Sequence, residues 1–303
     1  MNEKILTALC EMAGNECVLC GEPMSRHTTF RIGGPADYYV SPGTPEALAA
    51  VVGYCRKEQI PFYIIGNGSN LLVGDGGYRG VMIQVYKNMN GIRVEREMIH
   101  AQAGAMLSVI AKRALEQGLT GMESVSGIPG TLGGAVVMNA GAYGGEMKDI
   151  VRQVTLLDRD GVIRTVSGEE MEFGYRTSCI MREKAIVLEA ALKLAHGDCA
   201  AIRERMEELK EMRVGKQPLD LPSAGSTFKR PEGYFAGKLI MDAGLRGFAV
   251  GGAQVSEKHC GFVVNRGGAT AADVRELMRQ VQERVQAQFG VWLEPEVRML
   301  GEF

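Results

Sequence analysis

Apolar positions recur at helical spacing over residues 106–117 (MLSVIAKRALEQ), and Gly118 ends the stretch. A second helix opens at Thr44-Pro45-Glu46, with proline at its first turn, and runs to about Glu58. A charged helix is predicted over 200–213. A fourth runs from Thr270 to Phe289, started by the capping box Thr270-x-x-Asp273 and stopped by Gly290. Compact apolar runs read instead as strands: PFYIIG (61–66), VMIQV (81–85) and a central AIVLEAALKL (185–194). VRQVTLLDRDGVIRTV (151–166) reads as a hairpin turning at Asp160-Gly161, and VWLEPEVRML (291–300) as a final strand. Strand–helix–strand order near the start favours a small parallel unit. The loop GKQPLDLPSAGS (215–226) has two prolines and no period, which places a domain boundary just before it.

Composition narrows the class. With 46% hydrophobic and 23% charged residues and a net charge of −2, the chain has no field to steer it onto nucleic acid or an anionic membrane. No apolar run reaches the roughly 18 residues of a membrane helix, and MNEKILTALCEMAGNE lacks a signal-peptide layout. Seven cysteines, an odd number irregularly spaced, read as reduced thiols of a cytoplasmic protein. Cys10, Cys17, Cys20 and His27 invite comparison with a zinc site, but the first gap fits no finger spacing and no second CxxC pair exists. Free thiols and no metal are expected.

Glycine is the departure, at 40 of 303 residues, concentrated in particular loops. GNGSN (66–70) follows a strand and could cradle phosphate oxygens with its amides and the Ser69 hydroxyl. Leu71 stands where a dinucleotide fingerprint needs a third glycine, so a tight strand-end turn is an equal reading. SGIPGTLGGAVVMNAGAYGG (126–145) holds seven glycines, four of them within eight residues, a conformational cost that points to a flat or phosphorylated ligand pressed on main chain. SAGSTFKRP (223–231) sets Ser226 beside a second hydroxyl, Thr227, and ahead of two cations; nucleophile, phosphate ligand, proton donor and ordinary loop residue all remain open. There is no G-x-S-x-G elbow, GYFAGK (233–238) falls one residue short of a P-loop, and no HExxH is present.

The motifs together resemble one family. TTFRIGGPADYYV (28–40), IIGNGSNLLVGDGGYRG (64–80), SGIPGTLGGAVVMNAGAYGGE (126–146), FGYRTS (173–178), AGSTFKRP (224–231) and WLEPEVRMLG (292–301) occur in the order of the bacterial UDP-N-acetylenolpyruvoylglucosamine reductases, in their shorter class. The resemblance implies an α+β fold: a two-subdomain FAD-binding part of the vanillyl-alcohol-oxidase type (residues 1–90 with an N-terminal helix, then 91–214) and a substrate-binding domain over 215–303. It implies non-covalent FAD, with phosphates on Asn67, Gly68, Ser69 and Asn70. The ring system would lie along Gly127, Ile128, Gly130, Gly133, Gly134, Asn139, Gly141 and Ala142. It also implies NADPH as hydride source and a sugar-nucleotide substrate; no obligate protein partner is inferred.

In that chemistry hydride reaches the β-carbon of an enolpyruvyl ether and the charge left beside the carboxylate must be stabilised and protonated. The resemblance assigns Arg176 to the carboxylate, Glu296 to the enediolate oxygen and Ser226 to the proton. Glu294 and Thr227 are the decoys that pattern alone does not remove. Lys229, Arg230 and Lys238 are candidate substrate ligands. Another FAD oxidoreductase of the same fold, or a non-catalytic sugar-nucleotide binder, is the alternative.

Overall fold

The computed structural model describes residues 2–303. The chain divides into two compact units, each discontinuous in sequence: the first takes the residues up to Leu19, Tyr38–Asn67 and Val81–Arg213, the second Cys20–Asp37, Gly68–Gly80 and Val214–Phe303. The change at Arg213 lies beside the boundary read from the 215–226 loop, whereas nothing in the local pattern marks the two short early segments of the second unit.

In the first unit, α1 (Glu3–Ala13) and α2 (Pro45–Lys57) pack together. Thr44 caps α2, accepting the Ala47 amide at 3.2 Å, and the helix buries Leu48, Val51, Val52 and Cys55 on one face. After α2 the chain enters strand Phe62–Ile65, which pairs parallel with Val81–Gln84, as the early element order suggested. A five-stranded sheet follows in the order Ile163–Ser167, Val151–Leu157, Ile186–Lys193, Met98–Gln102, Ile92–Glu95, antiparallel throughout. The strand read as central is central. Helices α3 (Leu107–Glu116) and α4 (Leu132–Val137) pack on this sheet, and Ile99 of the sheet and Leu107 and Ile110 of α3 are fully buried.

The hairpin turn is longer than the Asp160-Gly161 reading. The Asp158 carboxylate accepts the amides of Asp160 and Val162, both at 2.9 Å, and so organises a loop over 158–162. Short α5 (Cys179–Glu183) follows. Then α6 (Cys199–Lys216) runs three residues past its expected end, because the first residue that stops a helix is Pro218.

The second unit is a four-stranded antiparallel sheet ordered Ser223–Ser226, Phe262–Asn265, Ala253–Val255, Ala249–Val250, with α7 (Ala236–Asp242) and α8 (Ala271–Phe289). Its core joins Val274, Leu277, Val281 and Val285 of α8 to Phe30 and Leu293. The expected final strand shrinks to Arg298–Leu300, paired parallel with Leu71–Val73. Residues 291–297 form only an isolated antiparallel bridge, Pro295 opposite Phe228, closed by the Lys229 amide on Glu294 O and the Glu296 amide on Thr227 O, both at 2.8 Å, bonds that do not call on the missing proline N–H.

Candidate active site

In the second unit the sequence's two neighbouring hydroxyls are told apart. Ser223 pairs with Val264 and Ser226 with Phe262, so the first strand carries one extra residue, with Gly225 at φ +76°. Such a bulge re-aims the side chains beyond it. Thr227 is left 1% exposed, its hydroxyl accepting the Val263 amide at 2.9 Å, while Ser226 is exposed. Glu296 lies against the same segment: its amide donates to Thr227 O at 2.8 Å, and its carbonyl accepts from Asn70 Nδ2 at 3.2 Å. The side chain of Glu296 is half-buried, whereas Glu294 is exposed and ion-paired to Lys229.

In the first unit Arg176 sits on a two-residue turn. Gly174 and Thr177 exchange backbone hydrogen bonds at 3.1 and 3.4 Å, and Arg176 between them has φ +55°. Asn139, 1% exposed, ties this turn down: its amide donates to Gly174 O at 3.1 Å and to Glu146 Oε2 at 3.0 Å, and its oxygen accepts the Lys148 amide at 2.9 Å. The Glu146 carboxyl is held below its usual range by hydrogen bonds from Lys148 and Asn139, with Arg176 adding a nearby positive charge. The Asn139 side chain thus holds the Arg176 turn, Glu146 and the Lys148 backbone together. Glu146 and Lys148 did not stand out in the sequence; Glu146 is only the last letter of the motif at 126–146.

The two glycine loops differ in what their glycines are for. A Cβ on Gly68 would collide with His27 O, and one on Gly66 with the Thr131 hydroxyl, so the fold itself demands both. Gly133 is pressed on Ala103, where a Cβ would come within 2.9 Å. Gly134 is different: it is exposed, and a Cβ there would meet only Thr131 Oγ1, at 3.8 Å. Below it that same Thr131 hydroxyl is buried with no hydrogen-bond partner. An open glycine surface over an unsatisfied hydroxyl fits a flat polar group laid on main chain, as a flavin would be. Asn67 donates to Pro129 O at 2.8 Å, joining the end of one loop to the other within this unit.

Of the three candidate substrate cations, Lys229 is paired with Glu294 and Lys238 with Asp242 at 2.8 Å. Arg230 stacks over the Phe235 ring, with Cζ 3.9 Å from the centroid, and donates from Nε to Tyr234 O at 3.2 Å. His27 bonds Glu22 at 3.0 Å.

Comparison with known proteins decides the family. Residues 36–167 match the model of an FAD-binding domain, and residues 217–300 that of the UDP-N-acetylenolpyruvoylglucosamine reductase C-terminal domain. The UDP-N-acetylenolpyruvoylglucosamine reductase of Clostridioides difficile is 52% identical over 99% of both chains. That of Caldanaerobacter subterraneus is 51% identical over 100% of both. The chain belongs to this reductase family. A crystal structure of the reductase from Thermus caldophilus superimposes with a TM-score of 0.79 at 36% identity, over 92% of this chain and 97% of that one. Membership makes the chain a flavin-dependent oxidoreductase of peptidoglycan precursor synthesis, with FAD as cofactor and the enolpyruvyl sugar nucleotide as small-molecule substrate. Among the described residues no helix is long and apolar enough to cross a membrane.

Proposed function

We propose that the chain carries out this reduction in the cytoplasm with NADPH as the hydride source, and that Ser226 protonates the substrate's α-carbon. Bound FAD supplies the hydride that adds to the β-carbon of the enolpyruvyl group. The chain's own residues manage the charge that follows. The Arg176 guanidinium, on a turn pinned by Asn139, forks onto the substrate carboxylate through two parallel hydrogen bonds that strengthen as negative charge develops. Glu296 donates to the adjoining enediolate oxygen from its half-buried position beside the Thr227 backbone. Ser226 Oγ gives its proton to the α-carbon and, being exposed, recovers one from water. A serine hydroxyl is a weak acid, but the acceptor here is a strongly basic carbon, so placement outweighs pKa.

The observation that carries this reading is the contrast between the two hydroxyls. Thr227 is buried and already bonded, and Ser226 is the one left accessible beside Glu296. On this reading the parallel pair over residues 62–84 and the sheet over 92–193 belong to the two FAD-binding subdomains, with phosphates on Asn67, Gly68, Ser69 and Asn70. Lys229, Arg230 and Lys238 are then reserve cations, released from their present partners only if the diphosphate competes for them.

Anaerobic stopped-flow of Ser226→Ala tests the assignment. NADPH bleaches the flavin at close to the normal rate, and reoxidation by the enolpyruvyl sugar nucleotide slows by about three or more powers of ten. Equal losses in both halves would make Ser226 a cofactor ligand instead.

A further inference from the structure

Arg213, near the end of α6, is a half-buried guanidinium with no carboxylate and no hydrogen bond among the described residues. Other arginines of the same unit are paired, Arg164 with Glu183 at 2.6 Å and Arg182 with Glu172 at 2.7 Å. Arg213 has instead the face of Tyr143, with Cζ 5.7 Å from the ring centroid, and the backbone of Gly127, where a Cβ would lie 2.8 Å from Nε. Burial pushes its pKa down, the mark of a charge removed from water without a counter-charge. A π face offsets part of that cost, and the carbonyl end of α6 adds a little more. Neither replaces an anion.

Both neighbours belong to the loop at 126–145, the segment whose open Gly134 and orphaned Thr131 hydroxyl fit a flat ring. Hydride uptake leaves such a ring with an extra electron pair and one more negative charge, which spreads over the pyrimidine N1 and C2 oxygen. A planar, always-charged fork of N–H donors matches that edge better than a compact ammonium would. We propose that Arg213 faces the pyrimidine edge of the bound flavin and stabilises its reduced, anionic state. The assignment rests on the flavin ring lying along 127–142; it does not depend on what Ser226 or Arg176 do.

The test uses the holoenzyme with neither NADPH nor sugar nucleotide present, so it is separable from the Ser226 assignment. The potential of the bound flavin is measured against a reference dye in Arg213→Met and Arg213→Lys, and affinity for oxidised FAD is measured in parallel. Arg213→Met weakens binding of reduced FAD at least tenfold more than oxidised FAD, a negative shift of about 30 mV per factor of ten for a two-electron couple. Arg213→Lys keeps most of the potential because it keeps the charge. Equal loss of both redox forms would make Arg213 a diphosphate ligand and overturn the proposal. So would an unchanged potential accompanied only by a lower melting temperature, which is what a structural role predicts. If Arg213→Met does not retain flavin, Arg213→Gln, which keeps a donor and loses the charge, gives the deciding potential.

Discussion

The Thr227 hydroxyl accepts the Val263 amide where almost no solvent reaches, so its removal leaves a buried donor unpaired. Thr227→Val should therefore cost about 1–3 kcal/mol of stability, read as a lower urea midpoint with unchanged slope. Thr227→Ser should recover most of it. Reoxidation of reduced flavin by substrate should change less than tenfold in Thr227→Val, far from the loss expected of Ser226→Ala; a comparable loss would transfer the proton-donor role to Thr227. In the sequence the two hydroxyls were equivalent neighbours, because the bulge at Gly225 that separates their fates is a pairing event with a strand nearly forty residues away. Asn139 shows the same limit. Its place in a glycine loop suggests a cofactor ligand, and nothing local shows that its amide also pins the Arg176 turn from 35 residues upstream. Arg213 had no signal at all, being one cation among many in a charged helix.

At the scale of the element, α8 shows which signals are local. Its capping box is present as written in the sequence, Thr270 Oγ1 accepting the Asp273 amide at 3.0 Å and Asp273 Oδ2 the Thr270 amide at 3.1 Å. The second cap was invisible there: the Asp75 carboxylate, 196 residues upstream, accepts the Ala271 amide at 2.8 Å and the Ala272 amide at 2.9 Å. Three of the amides at this helix start are thus met by two acids and a fourth by the Thr270 hydroxyl. Thr270→Ala should lower stability by about 1 kcal/mol, and Thr270→Asp by only a few tenths, as measured by urea unfolding. Asp75→Asn keeps the acceptor oxygen but loses the charge facing the helix N-terminus, and should cost less than Asp75→Ala. The Asp273 carboxyl is held below its usual range, first by the Thr270 amide, so its stabilisation is present above the unfolded carboxylate pKa. That contribution is lost as pH falls through the lower folded value. The final strand failed for the converse reason: alternation over 291–300 was real, but only Arg298–Leu300 find a partner strand, and the segment before them makes just an isolated bridge, Pro295 opposite Phe228.

For the molecule as a whole, the glycine content is partly an internal packing demand and partly a demand made by something outside the chain. Gly66, Gly68 and Gly133 are required by protein neighbours, and Gly134 is not. If the open surface at Gly134 and the buried Thr131 hydroxyl are completed by FAD, the apoprotein must carry that deficit as lost stability. Adding FAD to apoprotein at about 100 times its Kd should raise stability by about 2.7 kcal/mol, with a melting temperature that keeps climbing as FAD is added. Hydrogen exchange should report where: amides of 127–134 should slow with FAD beyond the global change, while the core of α8 follows global stability alone. Thr131→Val removes the orphaned hydroxyl without changing the side chain's shape. It should leave the apoprotein as stable or more stable and still weaken FAD binding, the two effects moving in opposite directions because the hydroxyl is a liability only when the flavin is gone. A Thr131→Val protein that loses stability in the apo form and binds FAD normally would mean the hydroxyl serves the fold, and Gly134 would need another explanation.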